Sequence, residues 1–547
     1  MWNNKYLKIF SVMCLLLIGW TAYNYVAPPA INIPPGSKQT IYGRIVDQQG
    51  RPIVAQIQVW HYPLTDLVDP FSSEGKKGRT DNLIRMTYSN DKGFYALEVP
   101  ADTVMVIVTR GPEWELTTRQ MIINKNEFEG IEYNVSLKRL YELNKLGWFA
   151  GDTHVHSQHS DGYQYPSEIA HAMQGVGLNW GILTDHNSIA GAREWLSGSS
   201  STFVPVLGNE ISTEASANAA ENGYGHMNQS FITSLSGKDP SNKNTWARAA
   251  FDGSDDVQNM ITATHDMGGI FSVNHPYQSW DWAGRFKSWG KASGFNAIEI
   301  WNGDVPHTRT TSTWDTSRTN INTWAVETWF SYLSAGNKIS GLAGSDCHDI
   351  YGTNAYPKGK FYWSTITGNP RTYAYCGKLS EGNLKKSIIR GSLFVTSGFG
   401  PILLLKINGK RPGDVLRIRK GEQVKLECQV LSNQPLRPSD KAFRIIMNGK
   451  VLKTMSPGSG YTSLIKTTFQ AAEDGWIVVE AFGSWPMYAI TNPVYLDAAP
   501  YGDWPRKTWN DPKEAMNWNK FRAHPAVTIP DGPFSWDDPQ VLSISKK

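Results

Sequence analysis

Histidine, aspartate and glutamate residues recur at the ends of short apolar segments in the middle of this chain. Nine of them have side chains suited to metal binding: His154, His156, Asp161, His186, Glu210, His226, His275, Asp346 and His348. Most of them close strand-like runs, and the ends of consecutive strands in a β/α unit converge on one face. Side chains brought together there could hold two or three divalent ions, and such a cluster performs hydrolytic chemistry.

The pair His154 and His156 begins the pattern. Residues two apart on a strand point to the same side, so that both imidazoles could bind one ion. Alone, the pair could equally be two surface histidines. Asp161 follows closely, however, and His186 comes after a further apolar strand. The combination predicts a metal site, and the ligand types leave Zn, Mn and Fe open.

The motifs around these residues, taken in order, resemble those of the PHP (polymerase and histidinol phosphatase) superfamily: HVHSQHSDG, TDHNS, GNEIS, GHMN, NHP, IEIWNG and GSDCHD. Their order and the flanking β domains are most similar to the CehA/McbA metallohydrolase branch. The resemblance implies a distorted seven-stranded (β/α) barrel with up to three metal ions. It assigns the first ion to His154, His156, Glu210 and Asp346. It makes Glu210 a bridge to a second ion held by His226 and His275, and gives the third ion to Asp161, His186 and His348.

Two further residues are predicted to take part in catalysis. Asp185 could orient a ligand histidine, although an acid at a strand end can also serve as a cap. His159 could be a loop ligand or a general acid, although a solvated loop histidine is about as common. Glu299 is a candidate for contact with the site. Cys347 lies between two ligands, and on a strand its side chain would face the other way and pack.

The elements that must position these residues fall into five segments. We predict a signal peptide or membrane anchor (1–27), a carboxypeptidase regulatory-like β-sandwich (36–140), a PHP-like domain (145–389), a C-terminal β-domain (390–500) and an extended Trp- and Pro-rich tail (501–547). The central segment alternates apolar strands with helical periodicity, which favours a β/α architecture. The two flanking segments show period-two alternation between turns, which is typical of small sandwiches. The expected fold class is therefore α/β, with a barrel flanked by two β-sandwiches.

The N-terminus and the overall charge constrain location and partners. Lys5 and Lys8 precede an apolar stretch from Ile9 to about Trp20, which is the pattern of an export signal. Cleavage and retention as a membrane anchor both remain open, and we expect a periplasmic or extracellular protein. The net charge is only +4 and no long basic run is present, so the sequence gives no reason to expect a nucleic-acid partner. Its four cysteines form neither a disulfide framework nor a thiolate metal site.

Together, these features predict an exported metal-dependent hydrolase. The favoured activity is that of a phosphoesterase that uses metal-activated hydroxide. A hydrolase of amides, carbamates or carboxylic esters on the same cluster is one alternative. A non-catalytic glycan-binding surface protein is another. The expected substrate is a small molecule or a glycan- or lipid-linked ester. Tryptophans and arginines between residues 277 and 329 could line its binding site, or could equally pack against the tail.

Overall fold

The computed structural model describes most of the chain between residues 38 and 512. The described ranges are 38–62, 83–124, 130–213, 224–235, 254–277, 286–303, 318–351, 355–356, 360–361, 366–436, 442–482 and 487–512. The predicted leader, most of the predicted tail and much of the tryptophan-rich stretch lie outside the described residues. The described part is a mixed α/β protein with many strands and few helices.

The N-terminal part consists of two four-stranded sheets. Its strands are β1 (Lys38–Asp47), β2 (Gln56–His61), β3 (Leu83–Tyr88), β4 (Phe94–Pro100), β5 (Thr103–Thr109), β6 (Thr117–Ile122), β7 (Ile131–Glu132) and β8 (Val135–Leu137). One sheet has the order β4-β1-β7, with β8 also on β1, and the other has the order β3-β2-β5-β6. Alternate residues of β4 are buried and exposed. Ile41, Val59 and Leu97 belong to one core between these strands. The alternation of apolar and polar residues in the sequence therefore matches the alternation of buried and exposed side chains.

The central part contains seven strands that follow one another in space in chain order. They are β9 (Trp148–Val155), β10 (Trp180–Leu183), β11 (Val204–Ser212), β12 (His226–Ser230), β13 (Ile270–Val273), β14 (Ala297–Asn302) and β15 (Ser340–Gly344). The short strands β16 (Ala355–Tyr356) and β17 (Lys360–Phe361) pair with each other, and β18 (Arg371–Tyr375) and β19 (Leu393–Thr396) follow. Nearly all residues of β9–β15 are buried, as expected for strands covered on both faces.

Five α-helices occur among the described residues: α1 (Pro166–Gly175), α2 (Ala192–Ser197), α3 (Ser254–Asp266), α4 (Arg318–Ser334) and α5 (Glu381–Arg390). Helix α1 begins with a proline, its Glu168 carboxylate accepts the backbone N–H of Tyr165 at 3.0 Å, and it buries Ile169 and Met173. Its apolar spacing of three to four residues therefore predicted the buried face. None of the helices in these ranges is long and apolar enough to cross a bilayer.

The seven-stranded barrel that the resemblance implies is present only in part, because the described strands do not close into a ring. Strand β18 pairs with β9 along Trp148–Gly151 and occupies the edge that β15 would need for closure. At the other end of β9, only an isolated bridge joins Val155 to Cys347, beyond β15. Strand β12 is also antiparallel to both β11 and β13. The sheet is therefore open and mixed rather than a closed parallel barrel.

The C-terminal part continues this sheet instead of standing apart from it. Its strands are β20 (Ile402–Ile407), β21 (Val415–Ile418), β22 (Glu422–Leu431), β23 (Phe443–Met447), β24 (Lys450–Met455), β25 (Thr462–Ala471), β26 (Gly475–Phe482), β27 (Tyr488–Thr491) and β28 (Val494–Ala498). Strand β27 pairs with β19, which extends the central ladder through β26, β23 and β24. Strands β20, β22 and β25 form a separate sheet, and Leu405 and Val479 pack in the core between the two layers.

Candidate metal centre

The nine predicted ligands meet at one end of strands β9–β15. His154, Glu210 and His226 lie within β9, β11 and β12. The other six follow strand ends: His156, Asp161, His186, His275, Asp346 and His348. All nine belong to four overlapping groups of possible metal ligands, and within each group the ligand atoms lie within 4.8 Å of one another. The structure thus brings the residues into one cluster, while their metal binding stays a prediction.

Glu210 stands at the centre of the cluster and uses its two carboxylate oxygens on different neighbours. Oε1 lies 3.2 Å from Nδ1 of His226 and 3.1 Å from Nε2 of His275. Oε2 lies 3.2 Å from Nε2 of His154 and 3.2 Å from Nδ1 of His186. A carboxylate arranged in this way has one oxygen available for each of two cations.

The innermost group combines His154, His156 and Asp346. Nε2 of His154 lies 3.1 Å from Nε2 of His156. Oδ1 of Asp346 lies 3.4 Å and 3.1 Å from these two nitrogens, respectively. All three residues are at least 95% buried. Three donor atoms therefore converge on one enclosed point.

The outermost group contains His156, Asp161, His186 and His348. Oδ2 of Asp161 lies 3.5 Å from Nε2 of His186 and 3.3 Å from Nε2 of His348. The Asp161 side chain is 52% exposed, and those of His186 and His348 are 20% and 22% exposed. The cluster is thus closed at Glu210 and open to solvent at Asp161.

The donor set fits divalent cations. Metal–ligand distances of about 2.0–2.2 Å in a tetrahedral site place neighbouring ligand atoms about 3.3–3.6 Å apart. Most distances in the cluster lie near this range, as the 3.2 Å between Glu210 and His154 illustrates. Among the described residues, Oε2 of Glu210 and Nδ1 of His156 are also buried without a hydrogen-bond partner of good geometry. Buried polar atoms normally have partners, and an ion would supply one to each.

The electrostatics of the cluster show how strongly these groups depend on one another. Burial would lower the pKa of His154, but the carboxylates of Glu210, Glu299 and Asp346 raise it well above its ordinary value. Burial would raise the pKa of Glu210, but His154, His226 and His186 hold it well below its usual range. Such groups compete for protons and cations, so metal binding would displace protons from the imidazoles.

The pKa of His156 is shifted in the opposite direction to that of His154. Burial and the neighbouring imidazoles of His348 and His186 lower its pKa to about 4. The ring is therefore neutral at physiological pH, which is the form of imidazole that binds a metal. Asp161 shows the opposite balance: burial would raise its pKa, but His348 and His186 lower it.

Several residues that bind no ion in the resemblance hold the ligands in place. Glu299 accepts a hydrogen bond from Nδ1 of His154 at 3.0 Å and from the backbone N–H of His275 at 2.9 Å. The side-chain amide of Asn274 donates to Oε1 of Glu210 at 3.0 Å. Ser212 lies in hydrogen-bond contact with Nδ1 of His186. Of these, only Glu299 is a candidate from the sequence, although Asn274 lies inside the NHP motif and Ser212 closes the GNEIS motif.

Two of the predicted ligands have an unusual backbone conformation. The φ angles of His275 and Asp346 are 22° and 52°, on the positive side that non-glycine residues rarely adopt. Both residues follow strand ends, and the backbone N–H of Asp346 donates to the carbonyl oxygen of His154 at 2.8 Å. Such strain concentrates at functional sites, where the surrounding structure fixes it.

The two residues predicted to be catalytic lie beside the cluster rather than in it. The Asp185 carboxylate accepts hydrogen bonds from the backbone N–H of Ser157 and its hydroxyl, both at 2.7 Å, and from the hydroxyl of Ser160 at 2.8 Å. Asp185 thus fixes the loop that carries Asp161. This is the capping role that an acid at a strand end can also have. His159 belongs to none of the four groups, and its ring lies against Gly191. The roles of Asp185 as an orienting residue and of His159 as a loop ligand or general acid stay predictions.

Cys347 takes the packing role expected of it. It is buried in an apolar cluster, and the hydroxyl of Thr367 donates to its sulfur at 3.1 Å.

No family model matches the chain, and no curated protein matches it. Similar solved structures do exist. A two-domain protein from Bacteroides vulgatus, described as containing a predicted PHP-like metal-dependent phosphoesterase, is 14% identical with a TM-score of 0.31, and the match covers 64% of this chain and 95% of that one. An amidohydrolase from Chromobacterium violaceum is 14% identical with a TM-score of 0.24, covering 40% of this chain and 92% of that one. The lesion-specific endonuclease EndoQ from Pyrococcus furiosus is 13% identical with a TM-score of 0.28, and the match covers 44% of this chain and 56% of that one. Because these identities and scores are low, the chemistry of the cluster rests on its own geometry.

Proposed function

We propose that this protein is a metal-dependent hydrolase of the PHP type, of the CehA/McbA-like branch, and that its substrates are phosphate esters. The observation that carries the proposal is the position of Glu210. Its Oε1 faces the imidazoles of His226 and His275, and its Oε2 faces those of His154, His156 and His186, all at 3.1–3.3 Å. Divalent ions at such a site would supply an activated water at neutral pH and polarise the ester bond. Zn, Mn and Fe all suit these ligands.

Each part of the cluster has a distinct task in this proposal. His154, His156 and Asp346 would hold an inner ion, and Glu210 would span to a second ion near His226 and His275. The outer group around Asp161 would hold a third ion. Its exposed side chains give a substrate access from solvent, while the buried groups exclude bulk water and fix the inner ligands.

The proposal is tested by metal analysis together with a substrate panel. Purified protein should contain two or three equivalents of divalent metal, and should hydrolyse bis-p-nitrophenyl phosphate or p-nitrophenyl phosphate. Glu210→Gln should lower both metal content and turnover, by more than the roughly 10- to 100-fold that the loss of a ligand's hydrogen-bond partner costs. Glu427→Gln is the matched control, since Glu427 is half exposed on β22 and pairs with Lys466 at 3.1 Å.

The same panel separates the phosphoesterase from its alternatives. Turnover of p-nitrophenyl acetate or an aryl carbamate without turnover of either phosphate would replace the phosphoesterase by a carboxylic ester or carbamate hydrolase on the same cluster. Protein that retains no divalent metal after loading and purification would contradict the whole proposal and favour a non-catalytic binding protein.

We further propose that the protein is exported and acts on a small molecule or a glycan- or lipid-linked ester outside the cytoplasm. The support is the charged start and the apolar stretch within residues 1–27. Cell fractionation with N-terminal sequencing of the mature protein tests this: we expect it outside the cytoplasm, either cleaved after the leader or held in the membrane fraction. Full-length protein in the cytoplasm would contradict it.

A further inference from the structure

The ligands of the innermost group come from opposite ends of the seven-strand path. His154 and His156 belong to β9 and the residue after it, whereas Asp346 follows β15. Because β18 occupies much of the free edge of β9, no continuous ladder joins β9 to β15. Beyond β15, the bridge between Val155 and Cys347 and the hydrogen bond from the backbone N–H of Asp346 to the carbonyl oxygen of His154 at 2.8 Å join these two ends. Any side chain that supports this short junction helps to keep the group's ligands together.

Asp152 lies at this junction. Its Oδ1 accepts the backbone N–H of Ser345, next to Asp346, at 2.9 Å, and the backbone N–H of His154 at 3.3 Å. Its Oδ2 accepts the backbone N–H of Gly368 at 2.8 Å. One carboxylate thus contacts β9, the segment after β15 and the loop before β18. Asp152 is fully buried.

Asp152 does not behave as a metal ligand, although its position suggests one. Residues two apart on a strand share a face, so Asp152 points to the same side as His154. Both carboxylate oxygens nevertheless accept backbone N–H groups, and Asp152 belongs to none of the four ligand groups. A fully buried carboxylate with several backbone donors is an acceptor fixed in place, because each donor would otherwise be left without a partner.

The loop that Asp152 binds is itself braced. The fully buried Arg371 donates from Nε to the carbonyl oxygen of Gly368 at 2.8 Å, and from its Nη1 to the carbonyl oxygen of Val176, after α1, at 2.8 Å. Gly368 has a φ of 69°, which favours glycine there. The contact of Asp152 with this loop therefore joins the strand ends to a rigid support and not to a freely moving segment.

We infer that Asp152 is a positioning residue that clasps the two ends of the open sheet, so that His154, His156 and Asp346 converge on one ion. This inference rests on the proposed function, since it assumes that the innermost group binds metal. Asp152 would act only through the backbone on either side of the group. Its loss should weaken metal binding without removing a single ligand.

The test compares Mn²⁺ and Zn²⁺ binding by isothermal titration to wild type, Asp152→Asn and Asp47→Asn. Asparagine keeps one acceptor oxygen but turns an amide N–H towards Gly368 or Ser345. We expect the affinity of the tightest site to fall about 10- to 100-fold in Asp152→Asn. Asp47→Asn is the matched control: Asp47 is also buried and accepts the backbone N–H groups of Gln49 and Arg51, both at 2.9 Å, but lies in the N-terminal sheets. Its metal affinity should stay at the wild-type value.

Hydrogen exchange of the wild type gives a second measurement that needs no variant. Adding Mn²⁺ should slow exchange of the Gly368 amide, although residues 366–369 include no predicted ligand, and should leave the turn at residues 47–51 unchanged. If Asp152→Asn does not fold, this result alone decides the inference. Two results would overturn the role of Asp152 alone, provided that the wild type binds metal. One is a folded Asp152→Asn protein that binds metal equally well, and the other is a Gly368 amide whose exchange does not respond to metal. Wild type that binds no metal would overturn the proposed function and the clasp with it.

Discussion

Replacing Glu299 with glutamine would show whether the cluster depends on a carboxylate that need not bind an ion itself. Glu299 is buried, and its Oε1 lies 3.0 Å from Nδ1 of His154. Its Oε2 accepts the backbone N–H of His275 at 2.9 Å and the side-chain amide of Asn302 at 3.0 Å. A hydrogen on Nδ1 of His154 that donates to Glu299 leaves the lone pair on Nε2 facing the cluster, which is the tautomer a metal needs.

Glutamine cannot satisfy both sides of this arrangement. If its oxygen faces His154, its NH₂ group meets the N–H donors of His275 and Asn302. If it is turned round, its NH₂ donates to Nδ1 of His154, and the ring must then carry its proton on Nε2, where the metal would bind. Loss of such a partner weakens metal binding about 10- to 100-fold, which corresponds to about 1.4–2.8 kcal/mol.

The measurement is the dissociation constant for Mn²⁺ and Zn²⁺, by titration against a competing chelator, with circular dichroism to verify folding. Glu327→Gln is the matched control on α4. Burial raises the pKa of Glu327 to about 8, so this carboxyl is mostly protonated at neutral pH and glutamine resembles it in shape and charge. The control should bind metal like the wild type. A folded Glu299→Gln protein with wild-type affinity would refute the reasoning.

Three further predictions follow from other contacts. A methyl group on Gly344 would lie 2.6 Å from Cβ of His154 and 2.9 Å from Oε1 of Glu299, so Gly344→Ala should lower the free energy of unfolding by about 1–3 kcal/mol and weaken metal binding, as measured by denaturation and titration. Because burial raises the pKa of Glu327 from 4.5 to about 8, folding takes up a proton between these values. The free energy of unfolding of the wild type relative to Glu327→Gln should therefore fall as the pH rises from about 5 to 8, by at most about 5 kcal/mol. A stability difference between the two proteins that stays the same at every pH would contradict this. Finally, since the Asp161 side chain is 52% exposed while Glu210 is buried, a chelator should remove one ion faster than the rest, and native mass spectrometry showing simultaneous loss would argue against three separate groups.

The clustering of the nine side chains could be predicted from the sequence because several of them share a local signature. His154 and His156 are two apart at a strand end, and Asp346 and His348 repeat that spacing after β15. Side-chain direction on a strand follows from spacing alone, and strand ends converge whichever neighbour each strand has. The pattern therefore predicted which side chains gather, and the structure brings them together.

The supporting contacts could not be predicted, because they join residues that are remote in sequence. Glu299 meets His154 across 145 positions, and Asp152 meets Ser345 across 193 positions. Nothing near Asp152 distinguishes a ligand from a backbone acceptor. The open sheet escaped prediction for a similar reason: whether β15 or β18 pairs with β9 depends on register, and hydrophobic pattern does not specify which of two apolar strands takes an edge.

The burial of the cluster argues that it is kept for its chemistry rather than for stability. Glu210 is fully buried among the imidazoles of His154, His186, His226 and His275, and removing such groups from water costs several kcal/mol each unless their partners compensate. Apolar side chains of similar volume would fill the same space without that cost. Cations in place of the shared protons would offset this cost, because each carboxylate and imidazole would then gain a ligand bond. So many mutually dependent groups at one end of an open sheet, with positive φ at His275 and Asp346, are therefore what we expect of a site that binds ions.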